Sequence, residues 1–186
     1  MDIIAAFGLS ASAGLNAYIP LLVVSLLAKF TNLINLAEGW NALESWWIIG
    51  LLVVLSLVEF LADKIPAINH VNDILQTFIR PTAGAILFAS SARVITEVNP
   101  ILSIAIGVLV AGGVHAAKSV LVRPAVTAAT AGAADVPVSV MEDVVATTIS
   151  ILSVIIPVLV AIILLILLLG LVWWIAEQST EKESEP

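Results

Sequence analysis

Residues 3–28 read IIAAFGLSASAGLNAYIPLLVVSLLA and carry no side chain charged at neutral pH. As a helix this run is long enough to cross a hydrocarbon core of about 30 Å, which takes about 20 apolar residues. Two other runs share its character, Val98 to Val114 and Val144 to Ala176. The former only just reaches the needed length. Neither they nor the first run alternates polar and apolar residues, which argues against a β-barrel. The stretch therefore reads as part of an all-α, polytopic membrane protein with about 4–6 spans, some of its helices short, broken or re-entrant.

Composition agrees. Of the 186 residues 61% are hydrophobic and 11% charged, and the mean hydropathy is +1.15. A soluble domain of this size needs a polar shell that such a composition cannot supply. The first run follows Asp2 rather than a basic segment and outlasts a signal peptide's apolar region, so a retained first span is expected. With no cysteine, disulfides, thiol catalysis and thiolate metal sites are excluded. The net charge of −7 lies partly at the end, where Glu177, Glu181, Glu183 and Glu185 face Lys182. One membrane domain over residues 1–176 and an acidic, disordered tail over 177–186 are expected. Basic residues are too few and scattered for nucleic acid to be a partner.

The first helix is expected over Ile3 to Lys29, bent or weakened near Pro20. Small residues crowd Gly8 to Pro20, which lets another backbone approach closely. After a loop, Trp40, Trp46 and Trp47 read as an interfacial belt, opening a second span that ends near Ala62. From Asp63 to Arg80, residues Asn69, Asn72, Asp73, Gln76 and Arg80 recur at helical spacing, with Ile74, Leu75, Phe78 and Ile79 largely opposite. That describes a short amphipathic helix, either on the membrane surface or lining a wet cavity. Pro81 is expected to open a separate helix to about Val94, and a third span to cover Pro100 to Lys118. Pro124 to Ala134 is too short to span and is broken at Asp135 to Pro137. A straight helix from Val138 to Ala176 would approach about 60 Å at 1.5 Å per residue. Its first part therefore reads as in-plane or re-entrant, and Pro157 to Trp174 as the last span, with Trp173 and Trp174 at its exit.

If the segment after Pro81 crosses, Lys64, Arg80, Lys118 and Arg123 share one side, against Lys29 and Arg93. The positive-inside rule then puts the N-terminus in the cytoplasm. Two internal similarities raise a duplication. Arg80-Pro-Thr-Ala-Gly-Ala parallels Arg123-Pro-Ala-Val-Thr-Ala, and Ala13-Gly-Leu-Asn-Ala parallels Gly112-Gly-Val-His-Ala. The two matches imply different offsets, so chance recurrence of alanine and glycine stands beside a true repeat.

The Arg-Pro pairs carry the most mechanistic signal. Proline suits a helix's first turn, and a helix N-terminus offers amide donors and partial positive charge to an anion. Arg80 and Arg123, with Thr82 and Thr127 just beyond each proline, are the anion-site candidates. The competing reading has both arginines reaching to lipid phosphates. Glu59, Asp63, Asp73 and His115 are the cation or proton candidates, because ionisable groups at membrane depth are costly without such a role. Glu142 and Asp143 are their counterparts in the second half, and pairing of Glu59 or Asp63 with Lys64 or Lys118 is the alternative. Asn16, Gly14, Gly112, Gly113 and Lys118 are candidates for helix packing or a pathway lining. His70 with Asp73 makes no metal site. With no HExxH, Walker loop or GxSxG motif, neither an enzyme, a metal nor a cofactor is expected.

The blocks GLSASAGLNAYIPLL (8–22), EFLADKIPAINHVNDILQTFIRPTAGA (59–85) and HAAKSVLVRPAVTAATAG (115–132) resemble the signatures of a bacterial membrane family catalogued as domain of unknown function 4126. The resemblance covers nearly the whole chain apart from the tail. It implies a single unit of the bacterial inner membrane and supplies no activity. The residues themselves lead to a small transporter or channel in the lipid bilayer. Its cargo would be an anionic solute or lipid phosphate with a coupled cation or proton, and a chain with so few spans would need a homo-oligomer to enclose a pathway. The alternative is a non-catalytic subunit or organiser that packs on partner proteins through its small-residue faces. A lipid-modifying enzyme built on His70, Asp73 and Glu59 is a third reading.

Overall fold

A computed structural model describes residues 3–62, 66–92, 97, 99–156 and 162–174, the side chains of 66–71 excepted. Asp63, Lys64, Arg93, Pro157 and the acidic tail lie outside the described residues. The described chain is all-helical, without a strand. In order it forms α1 (Ile3–Leu15), α2 (Tyr18–Phe30), α3 (Trp46–Ala62), α4 (Pro66–Ser91), α5 (Pro100–Ala117), α6 (Arg123–Thr130) and α7 (Asp135–Ile155), then α8 (Ile162–Trp174). Two continuous helices, Pro100–Thr130 and Asp135–Ile155, are long and apolar enough to cross a membrane.

The first apolar run is broken, four residues earlier than expected. α1 stops at Leu15 and α2 begins at Tyr18, with Asn16 and Ala17 between them. Pro20 lies in the first turn of α2. A proline within a helix clashes with the carbonyl four residues back, here that of Asn16. The break therefore falls one turn before the proline and not at it.

Pro81 does the opposite. The expected surface helix and the expected separate helix are one, since α4 runs through Pro81 from Pro66 to Ser91. Pro124 likewise lies inside a longer helix. α5 passes through a π turn, Lys118–Val122, directly into α6. Widening the helix ahead of Pro124 relieves the clash its ring would make with the Val120 carbonyl. The second helical break falls at Ala131 and Gly132, which take positive φ values of 50° and 84°. Asp135 to Pro137 open α7 instead of breaking the chain.

α1 sits against α4, α5 and α7, and α4 and α5 form the most extensive pair. Small residues make these approaches close. A Cβ on Gly107 would lie 2.7 Å from Ala85 Cα and 2.8 Å from the Gly84 carbonyl carbon. A Cβ on Gly14 would lie 2.6 Å from the Ala111 carbonyl oxygen. Gly112 and Gly113, expected at such contacts, are not: Gly112 would meet only Pro81, at 3.6 Å, and Gly113 faces open space. Serines join the same helices, as Ser10 Oγ donates to the Gly84 carbonyl at 2.9 Å. Ser12 Oγ lies 2.7 Å from both the Ala146 carbonyl and Ser150 Oγ.

The polar stripe of α4 faces inward. Arg80 is 0% and Gln76 1% exposed, whereas Phe78 is 73% and Ile74 66% exposed. Of the two expected placements for this amphipathic segment, the membrane surface is therefore replaced by the bundle interior. Asn99 caps α5, its Oδ1 accepting from the Leu102 amide at 3.0 Å. Asn99→Ala is expected to cost about 1 kcal/mol, read as a lower melting temperature at unchanged helix content.

A buried ionic network around the broken helix

The Asn16–Ala17 break leaves carbonyls bare at the end of α1 and amides bare at the start of α2. Side chains from the neighbouring helices take their places. Lys118 Nζ donates to the Leu15 carbonyl at 3.0 Å and Arg80 Nη1 to the Gly14 carbonyl at 3.5 Å. The Ala17 amide donates to Glu59, 3.2 Å from Oε2. Asn16 Oδ1 accepts from the amides of Tyr18 and Ile19 at 3.1 and 3.0 Å. Cations thus meet a helix C-terminus and an anion meets a helix N-terminus, as the helix dipole favours.

From this centre the network spreads in two directions. Arg80 Nη2 pairs with Glu59 Oε1 at 3.0 Å, both side chains fully buried. Arg80 Nη1 also lies 3.1 Å from His115 Nδ1. Arginine can only donate, so Nδ1 is the acceptor and the ring is the neutral Nε2–H tautomer. Its Nε2–H then donates to Thr77 Oγ1 at 3.3 Å, whose own hydroxyl donates to the Asp73 carbonyl at 2.9 Å.

In the other direction, Lys118 Nζ and Arg123 Nη2 converge on Glu142 Oε2 at 2.7 and 3.0 Å. Arg123 Nη1 lies 3.3 Å from Asp73 Oδ1. Asp143, beside Glu142 on α7, accepts from Asn16 Nδ2 at 2.9 Å. The two halves of the chain are therefore tied together through the break.

Of the residues singled out in the sequence, the structure brings together Asn16, Glu59, Asp73, Arg80, His115, Lys118 and Arg123. Thr82 stands apart: its hydroxyl donates to the Phe78 carbonyl at 2.8 Å, beside an apolar cleft of about 270 Å³ between α2 and α4. Thr127 is also peripheral, donating to Asp135 Oδ1 at 2.8 Å across the α6–α7 turn. Gly14 packs beneath the break, and Asp63 lies outside the described residues.

Two expectations are corrected. Neither Arg-Pro pair begins a helix, because both prolines lie within continuous ones, so the free amides expected there are absent. Neither arginine simply reaches outward, since Arg80 is paired with Glu59 and Arg123 with Asp73 and Glu142. Glu142 and Asp143, expected as second-half counterparts of the acidic candidates, join the network, and Gln76 of the expected polar stripe is buried beside it. Glu142 and Asp143 do have a sequence signal: they are adjacent acids standing at the head of a long uncharged run. Among the described residues no three His, Asp or Glu side chains are grouped to hold a metal ion.

Fold and site together define an all-helical protein whose interior holds an ionic network closed around a discontinuous helix. A family match locates the chain more narrowly. Residues 3–177 match the model of the family described as Domain of unknown function (DUF4126), and the chain belongs to that family. No curated protein matches it, and no solved structure does.

Proposed function

We propose that the protein is an integral membrane transporter or channel, and that the network at the α1–α2 break is its site. The cargo is a small anionic solute or a lipid phosphate, with a proton or cation coupled to its movement. The observation that carries this reading is the fully buried Glu59–Arg80 pair set against the two ends of a broken helix. Discontinuous helices whose ends face ions are how many transporters build their binding sites.

The distribution of side chains supports a bilayer setting. Polar and charged groups gather inside, while α3 turns Trp47, Leu51, Val54 and Leu57 outward at 90%, 52%, 57% and 58% exposure. Such an inside-out pattern suits a lipid surround, and ionisable groups held at membrane depth mark ion pathways. Rigid, fully satisfied ion pairs would serve structure alone, so the test must be functional.

Purified protein in liposomes is expected to give saturable anion flux that responds to an imposed pH step. Arg123→Gln is expected to lower that flux by about tenfold, the equivalent of about 1.4 kcal/mol, while Asn99→Ala leaves it near wild type. Equal flux in wild type and a folded Arg123→Gln variant would defeat the reading. Absence of flux, together with one dominant crosslinked partner in native membranes, would favour the organiser instead.

A further inference from the structure

The Glu142 carboxylate is held unevenly. Its Oε2 takes both Lys118 and Arg123, at 2.7 and 3.0 Å. Its Oε1 is buried and, among the described residues, accepts no hydrogen bond. A buried carboxylate oxygen without a donor is costly, and Glu142 carries one while its other oxygen takes both cations. The two cations are differently placed. Lys118 keeps the Leu15 carbonyl at 3.0 Å and Arg123 keeps Asp73 at 3.3 Å, so each stays anchored if Glu142 leaves. Both would then aim a donor at the point one oxygen had occupied.

Resting on the transport reading, we propose that Glu142 is a displaceable internal anion. When it takes up a proton, it yields Lys118 and Arg123 to a phosphate group carrying a single negative charge. Protonation removes one negative charge from beside two anchored cations, and an arriving monoanion puts one back. An arginine Nη2 donor beside a lysine ammonium is well suited to a phosphate oxygen. Proton uptake and anion binding thereby become one linked event.

Among the described residues, the groups facing Glu142 are these. Lys118 and Arg123 touch it, Asp73 lies behind Arg123, and Asp143 adjoins it on α7. His115 and Arg80 belong to the same electrostatic neighbourhood. The break contributes Asn16, and the end of α1 the Leu15 carbonyl. On α2, Tyr18 lies by the Glu59–Arg80 pair, and Lys29 is engaged at the Glu44 carbonyl and the Trp46 ring.

The test is equilibrium binding of inorganic phosphate to the purified full chain, read as thermal stabilisation, between about pH 5 and pH 6.5 where phosphate is mainly the monoanion. Wild-type affinity is expected to rise as pH falls, by up to about tenfold per pH unit, the limit for one linked proton. Glu142→Gln is expected to bind more tightly and without pH dependence. Adding Arg123→Gln to it should abolish binding. In a parallel arm without free phosphate, nanodiscs of phosphatidylglycerol replace phosphatidylcholine. Stabilisation of Glu142→Gln by that lipid alone would assign the site to a headgroup, and by free phosphate alone to a solute.

Wild-type binding that ignores pH would overturn the proposal, as would a folded Glu142→Gln that binds neither probe. If that variant does not fold, the wild-type pH dependence still decides. The expected binding pattern without any flux would uphold the displaceable anion and remove the transport reading, so the two fail separately.

Discussion

Arg80→Ala is expected to destabilise the protein by about 3–5 kcal/mol, the cost of stranding a buried carboxylate without its partner. Glu59 has no exposure to fall back on, since both side chains of the pair are at 0%. The same substitution removes a donor from the Gly14 carbonyl and from His115 Nδ1, so the end of α1 loosens as well. Glu59→Gln should be milder than Arg80→Ala, because the amide oxygen still accepts from the Ala17 amide. Combining Glu59→Gln with Arg80→Ala should recover part of the loss, since no stranded charge remains. Unfolding followed in nanodiscs or mild detergent gives the comparison. A loss below about 1 kcal/mol for Arg80→Ala, the size of an exposed pair, would mean water reaches the pair.

The second large effect is steric. Gly107→Leu is expected to cost at least about 3 kcal/mol or to leave no monodisperse protein, beyond the usual range for overpacking. The added Cβ would sit 2.7 Å from Ala85 Cα, and backbone cannot swing aside as a side-chain tip can. α4 and α5 would have to separate, and with them Arg80 and His115, which meet across that interface. Gly113→Ala is the matched control, six positions along the same helix with nothing within 4 Å of its Cβ. It should be neutral or gain up to about 1 kcal/mol from helix propensity. Size-exclusion profiles and melts of the two variants separate packing from a general intolerance of change in α5. Equal behaviour of the two would mean that the close α4–α5 approach is not what holds this pair together.

These two predictions meet at one physical point. Arg80 can be buried because the network gives its Nη1 and Nη2 acceptors in a low-dielectric interior. That network closes only because Gly14, Gly84 and Gly107 bring α1, α4 and α5 close enough for side chains to reach the break. Packing and charge are therefore coupled, and distant variants on α5 should alter the Glu59–Arg80 environment.

Much of this could be read along the chain. Uncharged apolar runs made the helical class plain, and α3 begins at the Trp46 expected to open it. The three blocks that carried the family resemblance fall within the matched residues. Glu59, Arg80, His115 and Arg123 drew notice because ionisable groups are expensive amid apolar residues. Helix continuity was not legible. Pro20, Pro81 and Pro124 look alike in sequence, yet one attends a break, one is passed through without interruption and one follows a π turn. Nor was it legible which glycines touch a neighbour, since Gly113 and Gly107 differ only in what lies opposite them.

The sequence by itself determined that this chain is helical, which of its residues carry charge among apolar neighbours, and which family it belongs to. These follow from local composition, spacing and sequence resemblance. Only the tertiary structure decided where the first helix breaks, which way the polar stripe of α4 faces, and which carboxylate each cation takes. A proline announces that a backbone hydrogen bond is lost. Whether the helix then survives depends on who can replace that bond, and at Asn16 the replacements come from Glu59, Arg80 and Lys118, residues far away in the chain.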